Sequence, residues 1–243
     1  MLLRFLCDTV NGDVAERFAT IANVHILLRE SSSLKRLEAL LLGSAGLLVL
    51  YGDDDYVRAL KSEYSSMSEL YDLRPMTLAE WSFKGRYTHH YLALRLVQLA
   101  ACYHSGGLAR GGIVGCKGGY EAYAMLSSAA SEYWAKRLGG VTMGGEMSSS
   151  LSNFTITNIG INVLAPMVYA RGLYMCVEGY KEHALRILDE LSGESNIYTS
   201  LWGFKRFAGH SATDSQAVIQ LTQEYCRRGG CASCPLLHAY IHQ

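Results

Sequence analysis

The sequence predicts an all-α fold, a single-domain helical array of roughly seven to nine helices that ends in a Cys-rich loop. Apolar residues recur at helical spacing along almost the whole chain, and no stretch shows the sustained alternation typical of a β-strand. Of the 243 residues, 49% are hydrophobic and only 18% are charged. A chain of this length and composition can bury a substantial core.

The first predicted elements lie in the N-terminal quarter. The stretch from Leu37 to Tyr51 is the most apolar, but it contains Glu38 and two glycines. Because it is shorter than the roughly 18 residues that span a bilayer, we interpret it as a buried helix and expect no membrane association. Asp53–Asp55 can cap the next helix. The inward stripe of that helix is Val57, Leu60, Tyr64, Met67 and Tyr71.

Two further sets of apolar residues at helical spacing lie on either side of a glycine-rich segment. The first is Leu92, Leu96, Leu99 and Tyr103, and the second is Ala122, Leu126, Ala129 and Tyr133. Between them, residues 104–119 hold seven glycines in sixteen positions, which is typical of a loop. We therefore expect one domain, 1–243, made of an N-terminal helical segment (1–104), a Gly-rich loop (105–120) and a C-terminal helical segment (121–243).

The C-terminal segment has a second break at residues 139–152, and Pro166 should kink or end the helix that contains it. Gly193 is expected to stop a helix whose stripe is Ala184, Ile187, Leu188 and Leu191. Thr213 and Gln216 have the spacing of a capping box. The helix that follows should turn Val218, Leu221 and Tyr225 inward.

The charge balance and the cysteine content indicate which kinds of protein this chain can be. The chain has 22 basic and 22 acidic residues, so it has no global positive field to support non-specific nucleic-acid binding. The N-terminus does not have the pattern of an export signal. Seven cysteines without such a signal favour thiols or metal ligands over disulfides, which predicts a cytoplasmic protein.

The glycine-rich segment does not have the spacing of a phosphate-binding loop. A Walker loop places Gly-Lys-Ser/Thr after a strand, whereas Lys117 lies between Cys116 and Gly118. We therefore expect a linker and no nucleotide cofactor.

A set of polar residues is the candidate for ligand binding. Arg86, His89 and Arg95 could form an anion-binding patch, joined by Asn158 and Asn162 if the fold brings them together. Ordinary surface polarity is the favoured interpretation of the first three. No nucleophile–base pair or pair of carboxylates stands out, so we expect no catalytic residues in this chain.

The tail 226–242 carries the most specific pattern, C-x4-C-x2-C. Cys226, Cys231 and Cys234 can supply three thiolates to one metal, and His238 is a reasonable fourth ligand. Two glycines between the first two cysteines allow the chain to fold back. A Cys3His zinc site and an iron–sulfur cluster with a ligand from elsewhere both fit.

The tail also resembles the cluster loop of helix-hairpin-helix DNA glycosylases. The similarity covers Cys226, Cys231, Cys234, Pro235 and Leu236. Tyr240 stands where those enzymes have a fourth cysteine, and the catalytic aspartate motif has no counterpart upstream. The resemblance therefore implies a metal loop rather than glycosylase activity.

A wider resemblance extends over nearly the whole chain. The sequence is similar to the C-terminal helical half of a bacterial domain-of-unknown-function family, and the similar blocks are 37–48, 56–81, 86–100, 158–166 and 213–226. Longer members have an additional N-terminal region, and the resemblance implies that any family active site lies there. It supplies no activity for the helical half.

Two functions remain open. The favoured one is a helical scaffold or partner-binding module with a C-terminal zinc or iron–sulfur site. Its partner would be another protein or the additional N-terminal domain. The alternative is an enzyme, or the accessory domain of one, that processes nucleic acid or a phosphate ligand in an Arg/His pocket. Convergence of Arg86, His89, Arg95, Asn158 and Asn162 in one cleft would favour the second.

Overall fold

The fold is all-α. The computed structural model describes residues 1–7, 9–84, 88–105, 107–138, 141–142, 145–146, 148–203 and 210–241. Strand structure in these residues is limited to a short antiparallel pair, β1 (Val141–Thr142) and β2 (Gly145–Glu146). No helix among the same residues is long and apolar enough to cross a membrane.

The α-helices are more numerous and shorter than the sequence predicts. They are α1 (Leu2–Leu6), α2 (Gly12–Ile21), α3 (Val24–Arg29), α4 (Leu34–Ser44), α5 (Asp55–Tyr71), α6 (His89–His104), α7 (Gly107–Gly111), α8 (Gly119–Leu126), α9 (Glu132–Leu138), α10 (Asn153–Ile159), α11 (Ala165–Met175), α12 (Glu178–Glu190), α13 (Ile197–Leu201), α14 (Ala212–Gln220) and α15 (Pro235–Ile241). Short 3₁₀ turns cover Thr9–Asn11, Leu47–Leu50, Leu78–Glu80, Ile113–Gly115 and Cys231–Ser233, and π turns cover Gly160–Leu164 and Leu221–Cys226.

The chain divides into two compact units. Unit 1 comprises Met1–Gly115 and Glu121–Ile159, and unit 2 comprises Cys116–Tyr120 and Gly160–Gln243. The prediction of one domain over 1–243 stays a prediction. Within the segment predicted as a Gly-rich loop, the structure has the single-turn helix α7 and a 3₁₀ turn.

Helix α4 is the centre of unit 1. It packs against both α5 and α6, and every residue from Leu37 to Ser44 is buried, as the apolar run predicts. Gly43 allows the close approach of α5, because a Cβ there would lie 2.2 Å from the ring of Tyr64. The turn after α4 needs Gly46, which has a φ of +73° and faces the carbonyl oxygen of Met76.

The predicted cap of α5 is confirmed. The Asp54 side chain accepts a hydrogen bond from the Val57 amide at 2.9 Å. Of the predicted stripe on α5, Val57, Leu60 and Met67 are buried. The stripe on α6 is buried in full at Leu92, Leu96, Leu99 and Tyr103.

The third predicted stripe does not form one helix. Helix α8 ends at Leu126 and α9 begins at Glu132, and the exposed Ala129 lies between them. The reason is a long-range contact, because the Ala130 amide donates to the carbonyl oxygen of Ser149 at 2.9 Å. In α9 it is Trp134, rather than Tyr133, that is fully buried.

In unit 2, α12 packs against α11 and α14. Pro166 lies in the first turn of α11, two residues after the π turn Gly160–Leu164 ends, so the α-helical hydrogen-bond pattern changes just before the proline. The capping box of α14 is two residues earlier than predicted. Ser211, not Thr213, is the N-cap, and Asp214 closes the box.

Candidate functional site

A buried carboxylate lies at the centre of unit 1. Glu38, on α4, has no exposed surface. Its Oε2 accepts hydrogen bonds from the Tyr56 hydroxyl at 2.7 Å and from Trp134 Nε1 at 2.9 Å. Burial raises the pKa of the Glu38 carboxyl, and hydrogen bonds from Tyr56, Ser131 and Trp134 act in the opposite direction. The carboxyl therefore joins α4, α5 and α9 at one point.

Aromatic rings enclose this carboxyl. The Tyr51 and Trp134 rings meet edge to face with centroids 4.9 Å apart, and Tyr56 and Tyr133 stack at 4.2 Å. The guanidinium of Arg137 lies 5.6 Å from the Tyr51 ring centroid and 5.5 Å from that of Tyr133. These distances are typical of cation–π contacts. We call Glu38 and these five residues the Glu38 cluster.

Asp54 links the cluster to the solvent. Its Oδ2 accepts hydrogen bonds from the Tyr133 hydroxyl at 2.7 Å and from Arg137 Nη1 at 2.6 Å. The backbone hydrogen bond from Val57, the bond from Tyr133 and the contact with Arg137 hold the pKa of Asp54 below its ordinary value. One side chain thus caps α5 and holds α9 against it.

Burial also affects the ionisation of the tyrosines in the Glu38 cluster. Burial raises the pKa of Tyr51 to about 12, and burial and the hydrogen bond to Asp54 raise the pKa of Tyr133 to about 12. Both phenols therefore stay protonated at neutral pH. Glu38, the one carboxylate at its centre, has no surface that a substrate could reach.

Sequence reasoning did not find this cluster. The available signal was Glu38 itself, an isolated carboxylate in the apolar run Leu37–Tyr51. A charged group in a buried helix needs partners, but the pattern cannot say which ones. Tyr56 and Trp134, which donate to it, are 18 and 96 residues away in sequence.

The predicted ligand-binding residues that the structure describes belong to three different elements. Arg86 falls outside the described residues. His89 and Arg95 lie on α6, and Asn158 lies on α10, all within unit 1. Asn162 belongs to the π turn of unit 2. The Arg/His pocket stays a prediction.

The two residues on α6 have separate neighbours. Side chains six positions apart on an α-helix point about 120° away from each other around the helix axis. His89 and Arg95 therefore face different directions. The His89 ring lies 4.2 Å from that of His90. Arg95 lies over the ring of Tyr91 at 4.8 Å and donates to Gln98 Oε1 at 3.0 Å.

The cysteine tail folds back as its glycines predict. Cys226 ends the π turn after α14, and Gly229 has a φ of +65°, a backbone conformation that favours glycine. The Gly230 amide then donates to the carbonyl oxygen of Tyr225 at 2.9 Å. This hydrogen bond closes the segment between the first two cysteines.

The second cysteine, Cys231, begins a 3₁₀ turn, and the third, Cys234, directly follows that turn. The Cys234 amide donates to the carbonyl oxygen of Cys231 at 3.1 Å. Cys226 and Cys231 are exposed, and Cys234 is partly exposed. Nε2 of His238 lies 3.0 Å from the carbonyl oxygen of Ala232. The predicted ligands thus follow one another along a short exposed segment.

The zinc or iron–sulfur site stays a prediction. Within the described residues of the chain, no group of three or more His, Cys, Asp or Glu side chains is placed to hold a metal ion.

Helix α11 exposes a set of large apolar side chains. Tyr169, Leu173, Tyr174, Met175 and Val177 lie on its solvent-facing side and in the turn that follows it, and Tyr174 is 88% exposed. Tyr169 and Leu173 are four apart on α11 and lie on one side of it, whereas Val177 follows Cys176, whose φ of +54° ends the helix. We call these five residues the α11 apolar face.

The opposite side of α11 is well packed. Ala165, Val168 and Gly172 are buried. A Cβ at Gly172 would lie 2.9 Å from Cγ of Lys181 and 3.1 Å from Cβ of Tyr180, so α12 approaches closely there. Helix α11 therefore has its core-facing side satisfied and still presents a second apolar side.

Comparison with known proteins gives one match. A family model described as "Protein of unknown function (DUF2851)" matches residues 1–197. No curated protein and no solved structure matches the chain. The matched residues include the Glu38 cluster and the α11 apolar face, and the C-x4-C-x2-C segment follows them.

Proposed function

The chain belongs to DUF2851, a family of proteins of unknown function, and from that premise we propose that it is a helical module that binds another protein through the α11 apolar face. The observation that carries this proposal is the exposure of five large apolar side chains, four on α11 and one in the turn after it, while the core-facing side of α11 is already packed. Contiguous exposed apolar surface is typical of interaction sites.

The charge of this face favours a protein partner. Between Tyr169 and Val177 the one charged residue is Arg171, whose guanidinium lies 5.1 Å from the ring centroid of Tyr180 on α12. The face therefore offers at most a single cation to a phosphate or to an anionic lipid headgroup. An uncharged apolar protein surface is its best complement. Tyr and Met are enriched at protein interfaces, and three of the five residues are of these types.

The experiment is photo-crosslinking followed by reconstitution. A photoreactive residue at Tyr174 in the full chain would capture the protein bound at the face in cells. That protein is then purified, and its affinity for the wild-type chain is measured by calorimetry. We expect Leu173→Ala to weaken binding about tenfold, since removing a well-buried interface side chain costs more than about 1 kcal/mol.

A matched control is available on the neighbouring helix. Leu173 is 56% exposed and Leu185, on α12, is 53% exposed, but Leu185 does not belong to the α11 apolar face. Leu185→Ala should leave the affinity unchanged. Equal affinity for wild type and Leu173→Ala, or the absence of saturable binding by the captured protein, would refute the proposal.

A further inference from the structure

The turn between the second and third cysteines places two thiols three residues apart. Cys231 begins the 3₁₀ turn Cys231–Ser233, and the Cys234 amide donates to its carbonyl oxygen. In a 3₁₀ helix, residues i and i+3 lie on the same side and are separated by about 6 Å along the axis. Disulfide-bonded cysteines have Cα atoms about 4.4–6.8 Å apart. The backbone of this turn therefore suits a bond between the two.

Both thiols are free and reachable. Cys231 is exposed and Cys234 is partly exposed. The three buried cysteines of the chain are Cys7, Cys102 and Cys116. A small disulfide in solution can therefore reach Cys231, whereas those three are protected by the core.

We propose that Cys231 and Cys234 form a reversible dithiol–disulfide pair that exchanges with small-molecule disulfides such as oxidised glutathione. The Cys231 sulfur attacks the small disulfide, forms a mixed disulfide and releases one thiol. The Cys234 sulfur then attacks the Cys231 sulfur and releases the second thiol. The protein loses two hydrogens and the small disulfide gains them, so its two sulfurs are reduced while those of the protein are oxidised.

Cys226 lies in a different element from the proposed pair. It ends the π turn on the other side of the fold-back that Gly229 makes, five residues before Cys231. It is exposed like Cys231, so it serves as a matched control for general thiol reactivity. The disulfide would close a ring at the start of α15, because Pro235 follows Cys234 directly.

The test uses the full chain, reduced and then equilibrated with mixtures of reduced and oxidised glutathione. Free thiols are trapped by alkylation, and the masses of the tryptic peptides are measured by mass spectrometry. Trypsin cuts after Arg227 and Arg228, so Cys226 and the Cys231–Cys234 pair fall on separate peptides. We expect the peptide 229–243 to lose two hydrogens without being linked to another peptide, and we expect reduction to restore it.

Variants decide between the possible pairings. Cys226→Ser should oxidise at the same glutathione ratio as wild type. Cys231→Ser and Cys234→Ser should instead stop at a mixed disulfide with glutathione on the remaining thiol. A bond from Cys226 to either residue, or two alkylated thiols on peptide 229–243 at the most oxidising ratio, would overturn the proposal. Stoichiometric zinc that blocks oxidation of the purified chain would overturn it too.

Discussion

Replacing Glu38 tests whether the buried carboxyl holds α4, α5 and α9 together. In Glu38→Leu, the Tyr56 hydroxyl and Trp134 Nε1 lose their acceptor. Trp134 is fully buried, so its Nε1 cannot turn to water, and a buried unsatisfied donor costs about 1–3 kcal/mol. Tyr56 is only partly buried and can be solvated in part. We therefore expect Glu38→Leu to lower the free energy of unfolding by about 1–3 kcal/mol.

The conservative variant separates the hydrogen bonds from the charge. Glu38→Gln keeps an acceptor for Tyr56 and Trp134 but cannot ionise. Because burial raises the pKa of Glu38, its stabilising contribution is complete below the unfolded-state value of about 4.3 and is lost as pH rises through the folded-state pKa. Glu38→Gln should therefore gain stability relative to wild type as the pH is raised from about 4.5 to about 8.

The assay is denaturant unfolding followed by circular dichroism at several pH values. Glu69→Gln is the control, since Glu69 is exposed on α5 and its replacement should change stability by less than about 0.5 kcal/mol. A Glu38→Leu variant as stable as wild type would refute the role of the carboxyl. A pH-independent difference between Glu38→Gln and wild type would refute the assignment of a raised pKa.

Two further pairs of substitutions test the packing of α4 and the cap of α14. Gly43→Ala places a Cβ 2.2 Å from the Tyr64 ring and should lower the free energy of unfolding by about 1–3 kcal/mol. In the control Gly52→Ala the new Cβ meets no atom within 4 Å, so no such loss is expected. Thermal unfolding of both variants measures the difference. Ser211→Ala should lower stability by about 1 kcal/mol because Ser211 caps α14, and Thr213→Ala should lower it less. Equal losses in the last two, measured in denaturant, would argue against the observed cap.

The all-α fold and the principal helices of the core could be predicted because their signals are local. Asp54 stands directly before the apolar stripe of α5, and a side chain that close can reach the free amides of the first turn. Pro166 likewise acts on its own turn of backbone.

The capping box of α14 shows where a prediction from local sequence alone goes wrong. Both Ser211–Asp214 and Thr213–Gln216 have the required spacing. The structure uses the first, and the residues around it are held by contacts distant in sequence. Ser211 bridges to Ser192, and the Ala212 amide donates to the carbonyl oxygen of Leu191 at 2.8 Å. The sequence pattern contains no information about that contact.

The Glu38 cluster could not be predicted for the same reason. Glu38 and Trp134 are each visible in the sequence, but nothing in the residues between them indicates that they meet. The cysteine segment is the opposite case, because its glycines and spacing are local. The fold-back at Gly229 follows from them, whereas the zinc or iron–sulfur site depends on how the thiols converge.

The hydrogen bond between Glu38 and Trp134 also has a consequence for synthesis of the chain. The two residues are 96 positions apart, and ribosomes add roughly 5–20 residues per second. About 5–20 s therefore pass between the synthesis of Glu38 in α4 and the synthesis of Trp134 in α9. During that interval the carboxyl has no Trp134 donor, although Leu34, Leu37, Leu41 and Leu42 surround it on the helix. The buried hydrogen bond that joins α4 to α9 can therefore form only late in synthesis, after more than half of the chain has been translated.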